Sequence, residues 1–144
     1  MFLWQEQTRD CLGSGNPPFP NWVKRFICVA FYSPPRSKLN EKLYAHIRHN
    51  LARLSATYQG SKVIMCGDRN NAPVNRLLDT YPDLVNIVTT PILGNQILDI
   101  ILTDTHSYYD KALVLPPVQP DRVGFGAPID HSVAVAHPNL DKSI

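Results

Sequence analysis

The sequence predicts an α+β domain built as a layered sandwich, not a doubly wound parallel sheet. Three observations predict it. Short apolar runs rich in β-branched and aromatic residues recur at 23–32, 62–68, 97–102, 108–115 and 132–136. A single long amphipathic helical pattern separates the first two. The later strands and short helical stretches do not alternate as β-α-β units, which disfavours a parallel doubly wound fold.

The elements follow in order. Residues 1–22 read as irregular, since Gly13-Ser14-Gly15-Asn16-Pro17-Pro18 is a cluster of turn formers. The run 23–32, VKRFICVAFY, is a buried strand, and Pro34-Pro35 end it because proline lacks the N–H a ladder needs. Ser37 is placed to cap a helix with Glu41 in its first turn. Leu39, Leu43, Ile47, Leu51 and Leu54 then recur at spacings of four, four, four and three, one stripe of a helix of about five turns. Lys42, Arg48 and Arg53 fall off that stripe and read as a solvated face. Gly60-Ser61 stops the helix. Residues 62–68, KVIMCGD, form a buried strand that delivers a carboxylate at its end. A short helix is expected over 72–78 with Asn71 as cap, a short strand at 84–88, and a turn at Gly94-Asn95. Asp99 is an anomaly, a lone acid inside the apolar strand 97–102. A strand at 108–115 closes on Pro116-Pro117, and 132–136 is the last strand. The organisation expected is an irregular segment 1–22, a domain 23–138 and a tail 139–144.

Composition bounds the function. The chain has 144 residues, enough for one modest core, and its apolar share of 44% is that of an ordinary globular protein. The formal charge of +2 is compatible with nucleic acid, but no concentrated basic patch accompanies it. Three widely spaced cysteines, Cys11, Cys28 and Cys66, include no CxxC pair, which argues against a cysteine zinc site. Reduced thiols in an intracellular compartment, nuclear or cytoplasmic, are expected instead. No apolar run reaches the ~20 residues that span a bilayer, so no membrane partner is expected. The 13 prolines punctuate the chain into segments and form no single linker.

Three polar sites are tied to strands: Gly67-Asp68-Arg69-Asn70-Asn71 after one, Asp99 within another, and Asp130-His131 before the last. An unpaired buried carboxylate is costly, so Asp99 calls for a partner, and a histidine is a natural one. An Asp–His pair orients an imidazole and stabilises its protonated form. Further carboxylates and an amide supply the oxygen ligands and donors that Mg²⁺-assisted phosphoester hydrolysis requires. Taken singly, each has a bland alternative. Gly-Asp-x-Asn is a common Asx turn, Asp99 can pair locally, and a lone His131 is more often a surface residue. Their order and strand context favour chemistry.

At these residues the chain resembles the endonuclease/exonuclease/phosphatase superfamily, and it looks closest to the endonuclease domains of non-LTR retrotransposons. The resemblance runs over residues 24–137. It rests on Phe31-Tyr32-Ser33-Pro34-Pro35, Gly67-Asp68-Arg69-Asn70, Leu98-Asp99-Ile100-Ile101-Leu102-Thr103 and Ile129-Asp130-His131-Ser132. It implies a four-layered α/β/β/α sandwich and a metal-dependent phosphodiesterase acting on DNA, with Mg²⁺ or Mn²⁺. By resemblance, Tyr32 contacts the scissile phosphate. Asp68 positions or activates the water or protonates the leaving oxygen, and Asn70 stabilises the phosphate with its amide. Asp99 orients His131, which bonds the phosphate or acts as base, and Asp130 helps hold the metal. Tyr32 keeps a second reading as a core aromatic.

Arg69 and Ile129 depart from the family's Phe and Ser. Arg69 is expected to face outward, where DNA is within its reach. The family's N-terminal half, with an Asn and a metal-binding Glu, has no clear counterpart, so a partial, truncated sandwich is expected. Glu6 faintly resembles that Glu, yet it stands too few residues before Tyr32 for the intervening strands. The leading expectation is thus a truncated endonuclease-like domain of retroelement origin with an incomplete metal site, and little or no Mg²⁺-dependent nicking is expected of it. A non-catalytic binding module or remnant, and a phosphatase of the same superfamily, are the alternatives.

Overall fold

The computed structural model describes residues 4–8, 23, 25–34, 40–70, 72–91, 97–116 and 133–139. The fold is mixed α+β. Among the described residues, seven strands form two sheets: β1 (Trp4–Thr8), β2 (Arg25–Tyr32), β3 (Lys62–Asp68), β4 (Val85–Asn86), β5 (Asp99–Thr103), β6 (Leu113–Leu115) and β7 (Val133–Val135). The larger sheet has the order β1-β2-β3-β5-β4, and β6 pairs with β7 in the smaller one. Among these described strands only β2 and β3 run parallel, and the other pairs are antiparallel.

Helix α1 (Asn40–Thr57) makes the crossover that a parallel pair requires. Its buried residues are Tyr44, Ile47, Leu51 and Leu54. Leu43 of the expected stripe is only half-buried, and Tyr44 takes the inner position. A spacing of three, four and three tracks the 3.6-residue turn better than repeated fours, which drift around the helix. The stripe packs on Ile27 and Phe31 of β2, Val63 and Met65 of β3, and Ile100 and Leu102 of β5. The opposite face of β5 carries Ile101, which joins a second core of Ile87, Val88 and Ala112 beneath Val114, Ala134 and Tyr109. The larger sheet thus lies between a helix and the smaller sheet.

Several expectations change. Part of the segment expected to be irregular is a strand: β1 pairs along β2 from Trp4↔Val29 to Thr8↔Arg25. Its sequence, WQEQT, shows no alternating pattern; the unpaired backbone edge of β2 organises it. Helix α2 is one turn, Asn75–Leu78, rather than 72–78; Pro73 disfavours helical backbone at the preceding Ala72. Asp99 opens β5 instead of sitting inside it. The strand expected over 108–115 shrinks to β6, preceded by a 3-10 turn at His106–Tyr108. Ser37, Leu39, Asn71 and Gly94-Asn95 lie outside the described residues. No helix among the described residues is long and apolar enough to cross a membrane.

Candidate functional site

Register builds the site. In the parallel pair, Tyr32 stands opposite Asp68; in the antiparallel pair, Asp68 stands opposite Asp99. The three residues therefore share one level across β2, β3 and β5. Directly opposed residues lie on one face of a sheet. That face also carries Cys28, Cys66 and Ile101, away from α1. The Arg69 N–H donates to the Leu98 carbonyl at 2.8 Å, which makes 69/98 a hydrogen-bonded pair. By alternation, Asp68 and Asp99 form the closer, non-hydrogen-bonded kind, with Cβ atoms typically about 5 Å apart. Both are half-buried. Two opposed carboxylates repel unless a cation or a proton lies near them. Asp99 does not stand without a partner.

The turn after β3 is held on both sides. The Asn70 N–H donates to Asp68 Oδ1 at 2.8 Å, an Asx turn, and Asn70 takes a left-handed φ of 47°. Its Nδ2 donates to the Ser33 carbonyl at 2.8 Å. Ser33 is fully buried (0% exposed) and serves as a hub. Its N–H donates to the Asp68 carbonyl at 2.9 Å, extending the β2–β3 ladder, and its hydroxyl donates to Asn40 Oδ1 at 2.7 Å at the start of α1. Ser33 was not among the residues the sequence singles out; its signal is only a small residue between a strand end and a proline.

Tyr32 is 54% exposed, which removes the core-aromatic reading and leaves its ring at the surface beside Asp68. Arg69 contradicts the expectation that it faces outward. Its Nε donates to the Ile97 carbonyl at 2.9 Å and its Nη1 to the Ala72 carbonyl at 3.1 Å. Its charge lies close enough to the buried Tyr44 phenol to draw that group's pKa down against the larger upward push of burial. Glu6 is opposite Ile27, five residues back from Tyr32. At about 3.3 Å per residue that is roughly 16 Å along the strand, too far for Glu6 to share a metal with this row. Asp130 and His131, with Ile129, lie outside the described residues.

Among the described residues no three His, Cys, Asp or Glu side chains cluster as a metal site. The oxygen donors brought to one level here are the carboxylates of Asp68 and Asp99. Of the described cysteines, Cys28 and Cys66 are disfavoured as thiolates. Burial, with the Cys28 thiol nearby, pushes Cys66 up to about 11, and burial raises Cys28. A cavity of about 390 Å³ lies elsewhere, between β2 and α1, lined by Val29, Ile47, Leu51, Leu54, His46 and Tyr58. It includes none of the row residues, and its floor is apolar.

The geometry defines an α+β domain with a tyrosine, two carboxylates and a carboxamide gathered at one end of a sheet. No family model, curated protein or solved structure matches this chain.

Proposed function

We propose that this domain is a metal-dependent phosphodiesterase of the endonuclease/exonuclease/phosphatase type, related to retroelement DNA endonucleases, on a partial four-layered α/β/β/α sandwich. The observation that carries the reading is the single level shared by Tyr32, Asp68 and Asp99. Three separate sequence motifs meet there, with the Asn70 amide fixed beside them. The order helix, sheet, sheet is consistent with three of the four layers.

The roles follow from donor and acceptor capacity. The Asn70 amide has two N–H donors. One is committed to Ser33 and holds the group still; the other serves a phosphate oxygen. The exposed Tyr32 hydroxyl donates to a second phosphate oxygen. Asp68, with Oδ1 held by the Asn70 N–H, manages the proton of the attacking water or of the leaving oxygen. Asp99 orients His131, whose imidazole bonds the phosphate or accepts a proton. By the resemblance, Asp130 would hold a divalent cation, Mg²⁺ or Mn²⁺, which would supply charge neutralisation of the phosphate. Water adds to phosphorus as the bond to the leaving oxygen breaks.

With Glu6 distant from the row, metal binding is expected to be weak and turnover slow. The test is nicking of supercoiled plasmid DNA across a Mg²⁺ series, with calorimetry of Mg²⁺ on the same samples. Slow nicking that rises with Mg²⁺ and drops about 10²-fold or more in Asp68→Asn and His131→Ala is expected, the range typical of acid–base and electrostatic groups. Nicking equal in wild type and both variants rejects the assignment.

A second reading, a binding module without catalysis, is favoured by one observation. Leu113, Leu115 and Val133 are 55%, 48% and 48% exposed on one face of the smaller sheet. Contiguous exposed apolar residues commonly mark an interaction surface. Absence of both nicking and Mg²⁺ binding would favour it.

A further inference from the structure

The geometry points to Arg69 as a positioning residue: it clamps the entry of β5 to the turn that carries Asp68 and Asn70, and so fixes Asp99 opposite Asp68. The ladder between β3 and β5 ends at the Asp68↔Asp99 pair. Ladder ends fray, and a frayed end here would separate the two carboxylates. Arg69 supplies the fastening beyond that end. Its backbone N–H bonds the Leu98 carbonyl, and its Nε bonds the carbonyl of Ile97. One residue thereby engages both carbonyls that immediately precede Asp99. Its Nη1 bonds the Ala72 carbonyl, which belongs to a buried residue on the far side of the turn, and the Ala72 N–H returns to the Arg69 carbonyl at 2.8 Å. The side chain spans the two segments that flank the Asp68–Asn70 turn.

The chemistry selects arginine. A guanidinium presents five donors in a rigid plane and reaches two carbonyls in different directions at once, whereas an ammonium is a point charge on a flexible stem. Two of its nitrogens are spent on backbone carbonyls, so its main effect is on geometry rather than on direct capture of a phosphate. Small displacements of reacting groups cost large factors in rate. The functional meaning of the clamp rests on the phosphodiesterase reading; the clamp itself does not.

The test uses the full chain with Arg69→Met, which keeps the stem, and Arg69→Lys, which keeps the charge. Backbone amide exchange and chemical shifts are read by NMR. In both variants the residue-69 amide is expected to exchange at least about tenfold faster, with shifts at Asn70, Leu98 and Asp99 and none in the middle of β2. Unchanged exchange at residue 69 with unmoved Asp99 shifts would overturn the clamp. So would full recovery in Arg69→Lys, because charge alone would then suffice. The second arm is hydrolysis of bis(4-nitrophenyl) phosphate and nicking of DNA at several salt concentrations. The clamp predicts a kcat about 10- to 100-fold lower, near-constant KM and an unchanged salt dependence. A raised KM with a shallower salt slope would instead mark a direct phosphate contact and overturn the positioning role. If the wild-type chain hydrolyses neither substrate, the phosphodiesterase reading fails while the exchange arm still decides the clamp.

Discussion

A methyl group added at Gly67 would press on the Phe31 carbonyl oxygen and lie 2.8 Å from Phe31 Cδ1. Gly67 and Phe31 are register partners, so the ring folds over the place where a Cβ would stand. The first of these atoms is backbone and cannot swing away. Gly67→Ala is therefore expected to destabilise by at least the ~1–3 kcal/mol typical of overpacking, read as a lower urea midpoint. It should also disturb the next register pair, Tyr32 and Asp68. At this scale the sequence was informative about residue types and poor on contacts. Asp68, Asn70 and Tyr32 are visible as polar or aromatic residues at strand ends, and Asp99 as a lone acid in an apolar run, though not its place at the start of β5. The inward turn of Arg69 and the hub at Ser33 are not, because their partners are backbone carbonyls and amides contributed by segments up to 37 residues away.

Among the elements, β3 is fixed at both ends. Its distal end is the candidate site; its start is held by Asp104, which follows β5. Asp104 Oδ1 accepts the Val63 N–H at 2.9 Å, and Oδ2 lies 3.9 Å from Lys62 Nζ. Burial raises the Asp104 pKa above its ordinary 3.8, outweighing the lowering by the Val63 N–H and Lys62. A carboxyl raised in the folded state binds its proton more tightly there than when unfolded. Its contribution is complete below about pH 4 and is lost as the pH rises through the folded value. Asp104→Asn keeps an acceptor for Val63 and removes the titration. Relative to wild type, the Asn variant is expected to gain stability between pH 4 and pH 7, measured as urea midpoints at each pH. Parallel curves for the two proteins would show that burial of this carboxyl carries no net cost. The helix teaches a related lesson. Its existence and inner stripe follow from periodicity, but Tyr44 rather than Leu43 faces the sheet because the true turn is 3.6 residues.

For the whole molecule, the larger sheet buries one face under α1 and part of the other under β6 and β7. Val114 and Ala134 are paired and face the second core, which leaves Leu113, Leu115 and Val133 on the outer side. Leu115→Lys should lower the fluorescence of a hydrophobic dye bound to the native protein. The melting midpoint should barely move, since exposed substitutions usually change stability by within ~0.5 kcal/mol. A drop in midpoint of many degrees would mean that Leu115 is packed in solution.

Legible in the chain alone are the α+β composition, the strands at 25–32, 62–68 and 133–135, the long helix, and the polar residue types near the strand ends. Those are local properties: periodicity, propensity and residue type are written in the chain. Tertiary structure alone decided the rest. It made a strand of Trp4–Thr8 by offering the free edge of β2, and it set Glu6 five residues back from Tyr32. It brought Tyr32, Asp68 and Asp99 to one level by strand register, and it turned Arg69 inward to fasten that level. Register depends on pairing between distant segments, and a shift of one residue moves every side chain to the other face.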